Sequence, residues 1–282
     1  MENRFVICLD IGGTHISAGI VNTKDLTLWN DSHRVGAVDS LGDRSAILQE
    51  WGLVISEVLH TAGATVEGMI VSIPGPFDYE KGVCLMDGMH KYQALLHADL
   101  KNYFSQQYNL PTEHIWFFND ALSFLMGEVF YYNLSDKKVV GLTLGTGLGS
   151  AEYHSHQIRD LNYGSASFRN GIAEDYISTR GMISFLNGLG VHHIPHVKAL
   201  IETKGLEDEC RQVFDYLSKA LIDFIEQYII LLNPDCIVLG GSIAQASRLF
   251  LPQIQQAIAI PIQIASFDER NLFFGLTSSV EI

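Results

Sequence analysis

The sequence predicts an α/β protein made of two related domains. Strand-like apolar runs alternate with amphipathic helical segments along all 282 residues, and this alternation is typical of α/β folds. A β-turn-β motif near the N-terminus recurs in the middle of the chain. The length also exceeds the usual size of one domain. We therefore expect two domains of the same kind.

The individual elements follow from the apolar spacing. Strands are predicted at 5–11, 16–21, 27–35, 67–73, 82–86, 115–118, 139–145, 149–154, 236–240 and 262–265. Helices are predicted at 43–62, 93–108, 120–132, 172–187, 206–232, 245–258 and 270–280. No Pro/Ser-rich linker interrupts them, so any domain junction is short. We expect an N-terminal domain at 1–118, on which a C-terminal helix at about 268–282 packs, and a second domain at 119–267.

The prediction of two like domains depends on an internal duplication. The sequence VICLDIGGT at 6–14 can be laid over VVGLTLGTG at 139–147, and each reads as a strand, a glycine turn and a return strand. A second pair matches in the same order. MIVSIPG at 69–75 and CIVLGG at 236–241 are both buried-type strands that end in a turn of small or rigid residues. Two matches in one order favour two domains that face each other.

Composition excludes several classes of protein. Apolar residues make up 47% of the chain and charged residues 18%, so a substantial core is expected and disorder is not. The net charge of −14 argues against a nucleic-acid partner, because a phosphate backbone requires a basic face and no Lys/Arg cluster is present. The same charge permits nucleotide binding, since backbone N–H groups and magnesium usually hold nucleotide phosphates.

A cytoplasmic location is expected. The start of the sequence, MENRFVICL, lacks the features of a signal peptide, and the longest apolar stretch, Tyr228 to Leu232, is too short to cross a bilayer. The four cysteines are scattered, and three lie in apolar runs that favour buried, reduced thiols.

The first glycine turn has the residue types needed to bind a phosphate. Gly12 and Gly13 give the backbone freedom of a tight turn and let N–H groups approach an anion, and Thr14 adds a hydroxyl donor. Asp10 can hold magnesium directly or through its waters. The alternative is an ordinary hairpin turn in which Asp10 is a turn former.

The second glycine turn is the counterpart of the first. Its sequence LGTGLG at 144–149 does not fit G-x-G-x-x-G, and a hairpin is predicted after it, so a dinucleotide-binding fold is disfavoured. Walker A and protein-kinase signatures are missing. Gly145, Thr146 and Gly147, together with the first turn, could hold a triphosphate from two sides.

Two further motifs have both a structural and a functional interpretation. Gly240 and Gly241 end a strand, where they would let adenine or ribose lie against the backbone or would serve close helix–strand packing. Asn119 and Asp120 precede a helix and would serve as its cap. In the functional interpretation, Asp120 is a general base that deprotonates a sugar hydroxyl, and Asn119 binds a neighbouring hydroxyl.

Taken in order, these motifs resemble the ROK family (repressors, open reading frames and kinases) of the actin-like ATPase superfamily. They are DIGGT at 10–14, SIPGP at 72–76, ND at 119–120, LGTG at 144–147 and LGGS at 239–242. The resemblance covers nearly the whole chain. It implies two ribonuclease-H-like domains with a cleft between them, ATP and Mg²⁺ as cofactors, and a glucokinase-like phosphorylation of a hexose or amino sugar with Asp120 as base. It also implies that both glycine turns hold phosphates, that Gly240 and Gly241 lie by the adenosine, and that the protein forms a homodimer.

The chain departs from the family pattern in two places. Many members carry a Gly-His and a cysteine-rich zinc loop where this chain has YGSASFRNG at 163–171, so neither structural zinc nor that histidine's sugar contact is expected. Glu174 fits the glutamate that binds sugar hydroxyls after this loop; the alternative is a favourable charge at a helix N-terminus. The winged helix of the regulatory branch does not precede the first motif, so a repressor is not expected.

Three alternatives stay open on the sequence alone. One is a non-catalytic module that binds sugar or nucleotide, and another is a kinase of the same superfamily with a non-sugar acceptor such as a carboxylate. The third is a metal site in the sequence HHIPH at 192–196, which we interpret instead as a surface loop. Its spacing does not fit a helical zinc motif, and Pro195 breaks the segment.

Overall fold

The computed structural model of the protein describes residues 4–63, 65–88 and 91–280. The chain divides into two units, of which the second is Tyr132–Phe267 and the first comprises the described residues up to Tyr131 together with those from Asp268 onward. The sequence predicted the change of domain at residue 119. Helix 120–131 accounts for the difference, because it packs on the C-terminal helix and so falls in the first unit.

The first unit is built on a six-stranded sheet. Its strands are β1 (Phe5–Ile11), β2 (His15–Asn22), β3 (Thr27–Leu28), β4 (Arg34–Ala37), β5 (Gly68–Ile73) and β8 (Ile115–Asn119). The order is β3-β2-β1-β5-β8, with β4 also paired to β2. β1 and β2 form an antiparallel hairpin, whereas β1, β5 and β8 run parallel. The carboxyl ends of the three parallel strands therefore lie at one edge of the sheet.

Four helices cover this sheet: α1 (Arg44–Ala62), α2 (Leu100–Tyr108), α3 (Asp120–Tyr131) and α8 (Arg270–Thr277). α1 begins after Asp43, whose side chain accepts the N–H of Ala46, and it ends at Gly63 in the left-handed conformation. Such caps satisfy backbone groups that have no partner inside the helix. The buried face of α1 repeats at helical spacing through Ile47, Trp51, Val54, Ile55 and Val58, and it closes the core of this unit.

Helices α3 and α8 approach each other backbone to backbone. A Cβ added at Gly275 would lie 2.4 Å from the carbonyl oxygen of Met126, and one added at Gly127 would lie 2.6 Å from the amide nitrogen of Leu272. Only glycine permits this distance at either position. The crossing therefore fixes the start of α3, at Asp120, relative to the start of α8.

The second unit repeats the arrangement of the first. Its strands are β9 (Val139–Leu144), β10 (Leu148–His154), β11 (Gln157–Asp160), β14 (Cys236–Gly240) and β15 (Ile262–Ile264), in the order β11-β10-β9-β14-β15. β9 and β10 form the antiparallel hairpin, and β9, β14 and β15 run parallel. The two sheets share one topology, as the duplicated motif predicted.

The helices of the second unit are α4 (Thr179–Gly188), α5 (Val197–Glu202), α6 (Glu207–Phe224) and α7 (Leu251–Ala257). α6 continues through a π-helical turn at Ile225–Ile229 and ends in a 3₁₀ turn at Ile230–Leu232. Its apolar stripe is buried in the core of this unit. Among the described residues, no helix is both long and apolar enough to cross a membrane.

Several predicted elements are divided by local caps and turns. The predicted helix at 93–108 becomes a 3₁₀ turn at Gln93–Leu95 and helix α2, because Asp99 caps a new helix start. Ser178 divides 172–187 in the same way. Asn30 and Asp31 adopt the left-handed conformation and interrupt the predicted strand at 27–35. Two short hairpins form separate two-stranded sheets: β6 (Phe77–Asp78) with β7 (Val83–Cys84), and β12 (Ser167–Phe168) with β13 (Gly171–Ile172).

Candidate active site

Polar residues end the three parallel strands of the first sheet. Asp10 in β1 is paired with Ser72 in β5, and Ile73 at the end of β5 is paired with Asn119 in β8. Asp120 follows as the first residue of α3. The charge of Asp120 acts on Asp10 and raises its pKa. The folding of the sheet therefore brings two carboxylates together that are 110 residues apart in the sequence.

The Asp10 carboxyl has a strongly shifted pKa. Burial raises it from 3.8 to about 6, and the negative charges of Asp120 and Glu269 add to the rise. The side chains of Ser72 and His15 act in the opposite direction. Shifts of this kind are concentrated at functional sites because several charged groups converge there.

We expect Asp10→Asn to stabilise the metal-free protein at neutral pH. The native carboxyl keeps its proton to about pH 6, whereas an unfolded Asp loses it near pH 4. The native state therefore loses stability as the pH rises through this window, and an amide avoids the loss. Thermal unfolding in EDTA should be measured between about pH 4 and pH 8. The unfolding temperature of Asp10→Asn should exceed that of the wild type by a few degrees at neutral pH, and the difference should disappear at the acidic end. A gain independent of pH would contradict the expectation.

The first glycine turn is fixed by a buried tyrosine. The N–H of Gly12 donates to the carbonyl of His15 at 2.9 Å, which closes the turn. The hydroxyl of Tyr92 donates to the carbonyl of Gly12, and the Tyr92 side chain is fully buried. Thr14 lies exposed beside the turn. No local pattern in the sequence pointed to Tyr92, because the contact joins positions 80 residues apart.

Asn119 is oriented by two hydrogen bonds. Its Nδ2 donates to the hydroxyl of Tyr79 at 3.0 Å, and its Oδ1 accepts the N–H of Ala121 at 2.9 Å. The carboxylate of Asp120 accepts the same N–H at 2.9 Å. Both side chains thus contribute to the helix cap that the sequence predicted. Because Asn119 caps the same N–H, the helix start does not depend on the carboxylate of Asp120.

The two glycine motifs of the second unit lie side by side. Strands β9 and β14 place Thr143 opposite Gly240. Gly241 has a φ of 82°, and a Cβ there would lie 2.4 Å from the carbonyl oxygen of Leu144. A Cβ on Gly145 would lie 3.9 Å from the hydroxyl of Ser242. The predicted phosphate turn and the predicted adenosine motif are therefore neighbours at one sheet edge.

Glu174 lies beside the second turn. A Cβ on Gly147 would lie 2.9 Å from its carboxylate oxygen, and Arg180 pairs with the other oxygen at 3.2 Å. The N–H of Thr179 at the start of α4 donates to the carbonyl of Gly145 at 2.7 Å. Glu174 belongs to a 3₁₀ turn that precedes α4, and its carboxylate is directed at the turn.

A cavity of about 480 Å³ adjoins this group of residues. Its wall includes Thr179 and Ser242, next to the glycine motifs, and the apolar side chains of Ile201 and Leu249. The volume is within the usual range of small-molecule sites. His196 also lines the cavity and caps α5 by accepting the N–H of Ala199, so this part of HHIPH has a structural role.

The loop at 163–176 is organised around Arg169. The guanidinium of Arg169 lies 5.1 Å from the ring centre of Phe168 and 5.2 Å from that of Tyr176. It also pairs with Asp223 at 2.6 Å. The hydroxyl of Tyr228 donates to the carbonyl of Ser167. These contacts hold the short β12–β13 hairpin in the segment where many ROK members carry zinc.

We expect Arg169→Ala to lower the free energy of unfolding by about 1–2 kcal/mol, because it removes two cation–π contacts and an ion pair. Arg169→Lys is the matched variant, since it keeps the charge opposite Asp223 but loses the planar stack. Its free energy of unfolding, measured by chemical denaturation, should lie between those of the wild type and Arg169→Ala. Equal losses in Arg169→Ala and Arg169→Lys would show that the planar stack does not contribute to stability.

The comparisons with known proteins identify the family. The ROK family model matches residues 6–159, which are more than half of the chain. The chain belongs to the ROK family. A glucokinase of Thermotoga maritima is 22% identical, with 92% of this chain and 88% of the relative covered. A ROK family glucokinase from Streptomyces griseus, solved with glucose and AMPPNP, has a TM-score of 0.70 at 20% identity, over 97% of this chain and 98% of that one.

Regulators of the ROK family share the fold as well. A ROK family transcriptional regulator, a homolog of the E. coli MLC protein, has a TM-score of 0.70 at 15% identity and covers 98% of this chain and 77% of that chain. The similarity therefore establishes the α/β fold of ROK sugar kinases, which the sequence predicted. The residues predicted to act on substrate divide between the units. Asp10, the first turn, Asn119 and Asp120 belong to the first, and the second turn, Glu174 and Gly240–Gly241 belong to the second.

Proposed function

We propose that this ROK protein transfers the γ-phosphoryl group of ATP to a hydroxyl of a hexose or an amino sugar in the cytoplasm. The observation that carries the proposal is the convergence of Asp10 and Asp120 at the carboxyl ends of β1 and β8. Phosphoryl transfer requires charge neutralisation at the phosphates and a base at the attacking hydroxyl. The carboxylate of Asp10 suits the first task, and that of Asp120 suits the second.

Asp120 is assigned to the acceptor. Its carboxylate would take the proton of the attacking hydroxyl while the new O–P bond forms and the bond to ADP breaks. Asn119, oriented by Tyr79, would bind a neighbouring hydroxyl. Glu174 would bind further sugar hydroxyls, as the family resemblance implies. The donor set at Asp120 therefore fits a polyhydroxy substrate.

The nucleotide is assigned to the glycine motifs. Gly12, Gly13 and Thr14 in one unit, and Gly145, Thr146 and Gly147 in the other, would bind phosphate oxygens through N–H and hydroxyl groups. The cavity next to Ser242 is suited to adenosine. It has apolar walls, and it adjoins Gly240 and Gly241, whose backbone is not covered by side chains. Thr179, which lines this cavity, donates its N–H to the carbonyl of Gly145. This hydrogen bond connects the proposed adenosine cavity with the second glycine turn.

Asp10 is assigned to the divalent cation. Carboxylate oxygen is a preferred Mg²⁺ ligand, and the excess negative charge around Asp10 would be relieved by a cation. When bound, Mg²⁺ neutralises charge on the phosphates. The glucokinase relatives, one of them solved with AMPPNP, support this assignment of nucleotide and sugar. A homodimer is part of the same proposal, on the family resemblance alone.

A coupled ADP-release assay against hexoses, amino sugars and acetate tests the proposal. We expect ADP release that depends on one or a few sugars and on a divalent cation. Release with acetate alone would indicate a non-sugar acceptor. Sugar binding in calorimetry without ADP release would indicate a non-catalytic module, which the regulator among the similar structures makes the alternative to test.

A further inference from the structure

Three metal-ligating side chains converge in the first unit from distant parts of the chain. Asp10 is the next-to-last residue of β1, His15 begins β2, and Glu269 immediately precedes α8. One donor atom from each lies within 4.8 Å of the others. Two ligands of a single octahedral ion with bonds of about 2.1 Å lie about 3–4 Å apart. Small side-chain rotations would therefore place all three donors on one ion.

The three groups stand on fixed backbone. Asp10 and His15 flank the turn of the β1–β2 hairpin, which the hydrogen bond from Gly12 to His15 closes. Glu269 precedes α8, whose position is set by the glycine crossing with α3. Rigid supporting elements are what a metal site requires, because ligand geometry must be set before the ion binds.

Glu269 has a supporting partner of its own. The Nε2 of His33 lies 3.1 Å from a carboxylate oxygen of Glu269 and 2.9 Å from the hydroxyl of Ser17, which is fully buried. His33 thus holds Glu269 in position from behind, as hydrogen-bonding neighbours commonly do for the carboxylate ligands of metal sites.

We propose that Asp10, His15 and Glu269 bind one divalent cation and select a first-row transition metal such as Mn²⁺ over Mg²⁺. Imidazole nitrogen is a favourable ligand for Mn²⁺ and its neighbours in the row, whereas Mg²⁺ takes oxygen ligands almost exclusively. The site rests on the proposed function only through Asp10, which that function assigns to the cation. It adds two ligands and a metal preference, and it requires neither nucleotide nor sugar.

A titration of the full chain with Mn²⁺, followed by electron paramagnetic resonance without nucleotide, tests the site. The wild type should bind one Mn²⁺. His15→Gln and Glu269→Gln should each weaken binding at least about tenfold, and loss of the supporting His33 should weaken it about 10–100-fold. Asp268→Asn and His60→Gln are the matched controls, because Asp268 pairs with Arg270 and His60 lies in the last turn of α1. Both controls should bind Mn²⁺ as the wild type does.

Competition with Mg²⁺ tests the metal preference. His15→Asp replaces the nitrogen donor with oxygen, and it should keep a cation bound while lowering the preference for Mn²⁺ over Mg²⁺ about tenfold. Equal melting temperatures in EDTA should show that the variants fold. The site is refuted if the wild type binds no Mn²⁺ or if His15→Gln and Glu269→Gln bind it as the controls do.

The test separates this site from the proposed function. A wild type that binds Mn²⁺ through these residues but releases no ADP with any acceptor keeps the site and refutes the kinase. A wild type that phosphorylates sugars while Glu269→Gln binds Mn²⁺ unchanged keeps the kinase and refutes the site.

Discussion

Asp120→Asn is expected to lower kcat for sugar phosphorylation by about 10²–10⁴-fold, the usual contribution of a general base. The amide has nearly the shape of the carboxylate but cannot take the proton of the attacking hydroxyl. ATP affinity should stay close to that of the wild type, because the predicted nucleotide contacts lie in the glycine motifs. Steady-state ADP release and calorimetry with a non-hydrolysable ATP analogue measure the two quantities.

The change should not disturb the fold. Asn119 accepts the same Ala121 N–H that Asp120 accepts, and asparagine is itself a good helix cap. Asp99→Asn is the matched control, since Asp99 caps α2 by accepting the N–H of Asn102 at 2.9 Å. Its kcat should equal that of the wild type. Near-normal turnover in Asp120→Asn would refute the assignment of this residue as the base.

Gly241→Ala is expected to have the largest effect on the second unit. Its φ of 82° disfavours any other residue, and the new Cβ would lie 2.4 Å from one backbone atom of Leu144 and 2.7 Å from another. Both atoms belong to the end of β9, so neither can rotate away as a side chain would. We expect the end of β9 to be displaced, and nucleotide affinity to fall with it.

Gly190→Ala is the matched control for Gly241→Ala. Gly190 has a φ of 89°, and a Cβ there would have nothing within 4 Å. Gly190→Ala should therefore lower the free energy of unfolding only by the backbone strain, about 1–2 kcal/mol. Gly241→Ala should cost about 1–3 kcal/mol more, the usual penalty of overpacking. Chemical denaturation compares the two, and equal losses would show that Gly241 does not hold the strands in contact.

Periodicity and turns were sufficient to predict most of the architecture. The continuous apolar runs of β1, β5 and β14 are typical of strands buried on both faces, and the repeated glycine turn predicted a repeated topology. The breaks at Asp99 and Ser178 were missed because caps inside an amphipathic run do not disturb its spacing. The shift of the domain change from residue 119 to Tyr132 depends on the crossing of α3 and α8, and helix packing leaves little trace in local sequence.

The candidate site was predicted where its residues belong to motifs. Asp10, Asn119, Asp120 and the glycines each lie at or just after the end of a strand, and the fold brings them to the sheet edges. The residues that support them were missed. Tyr79 and Tyr92 act through hydroxyl contacts across 40 and 80 positions, and no spacing rule connects such pairs. Glu269 reaches Asp10 only through the return of the chain to the first unit.

The contact between Gly127 and Gly275 has a mechanical consequence. At this crossing the two backbones meet without a side chain between them, so little at this point can absorb a small shift of one helix against the other. A displacement of the C-terminal helix would therefore be transmitted to the carboxylate at the start of its neighbour, seven residues before Gly127. Changes near the end of the chain can in this way alter the alignment of the proposed base without touching the substrate.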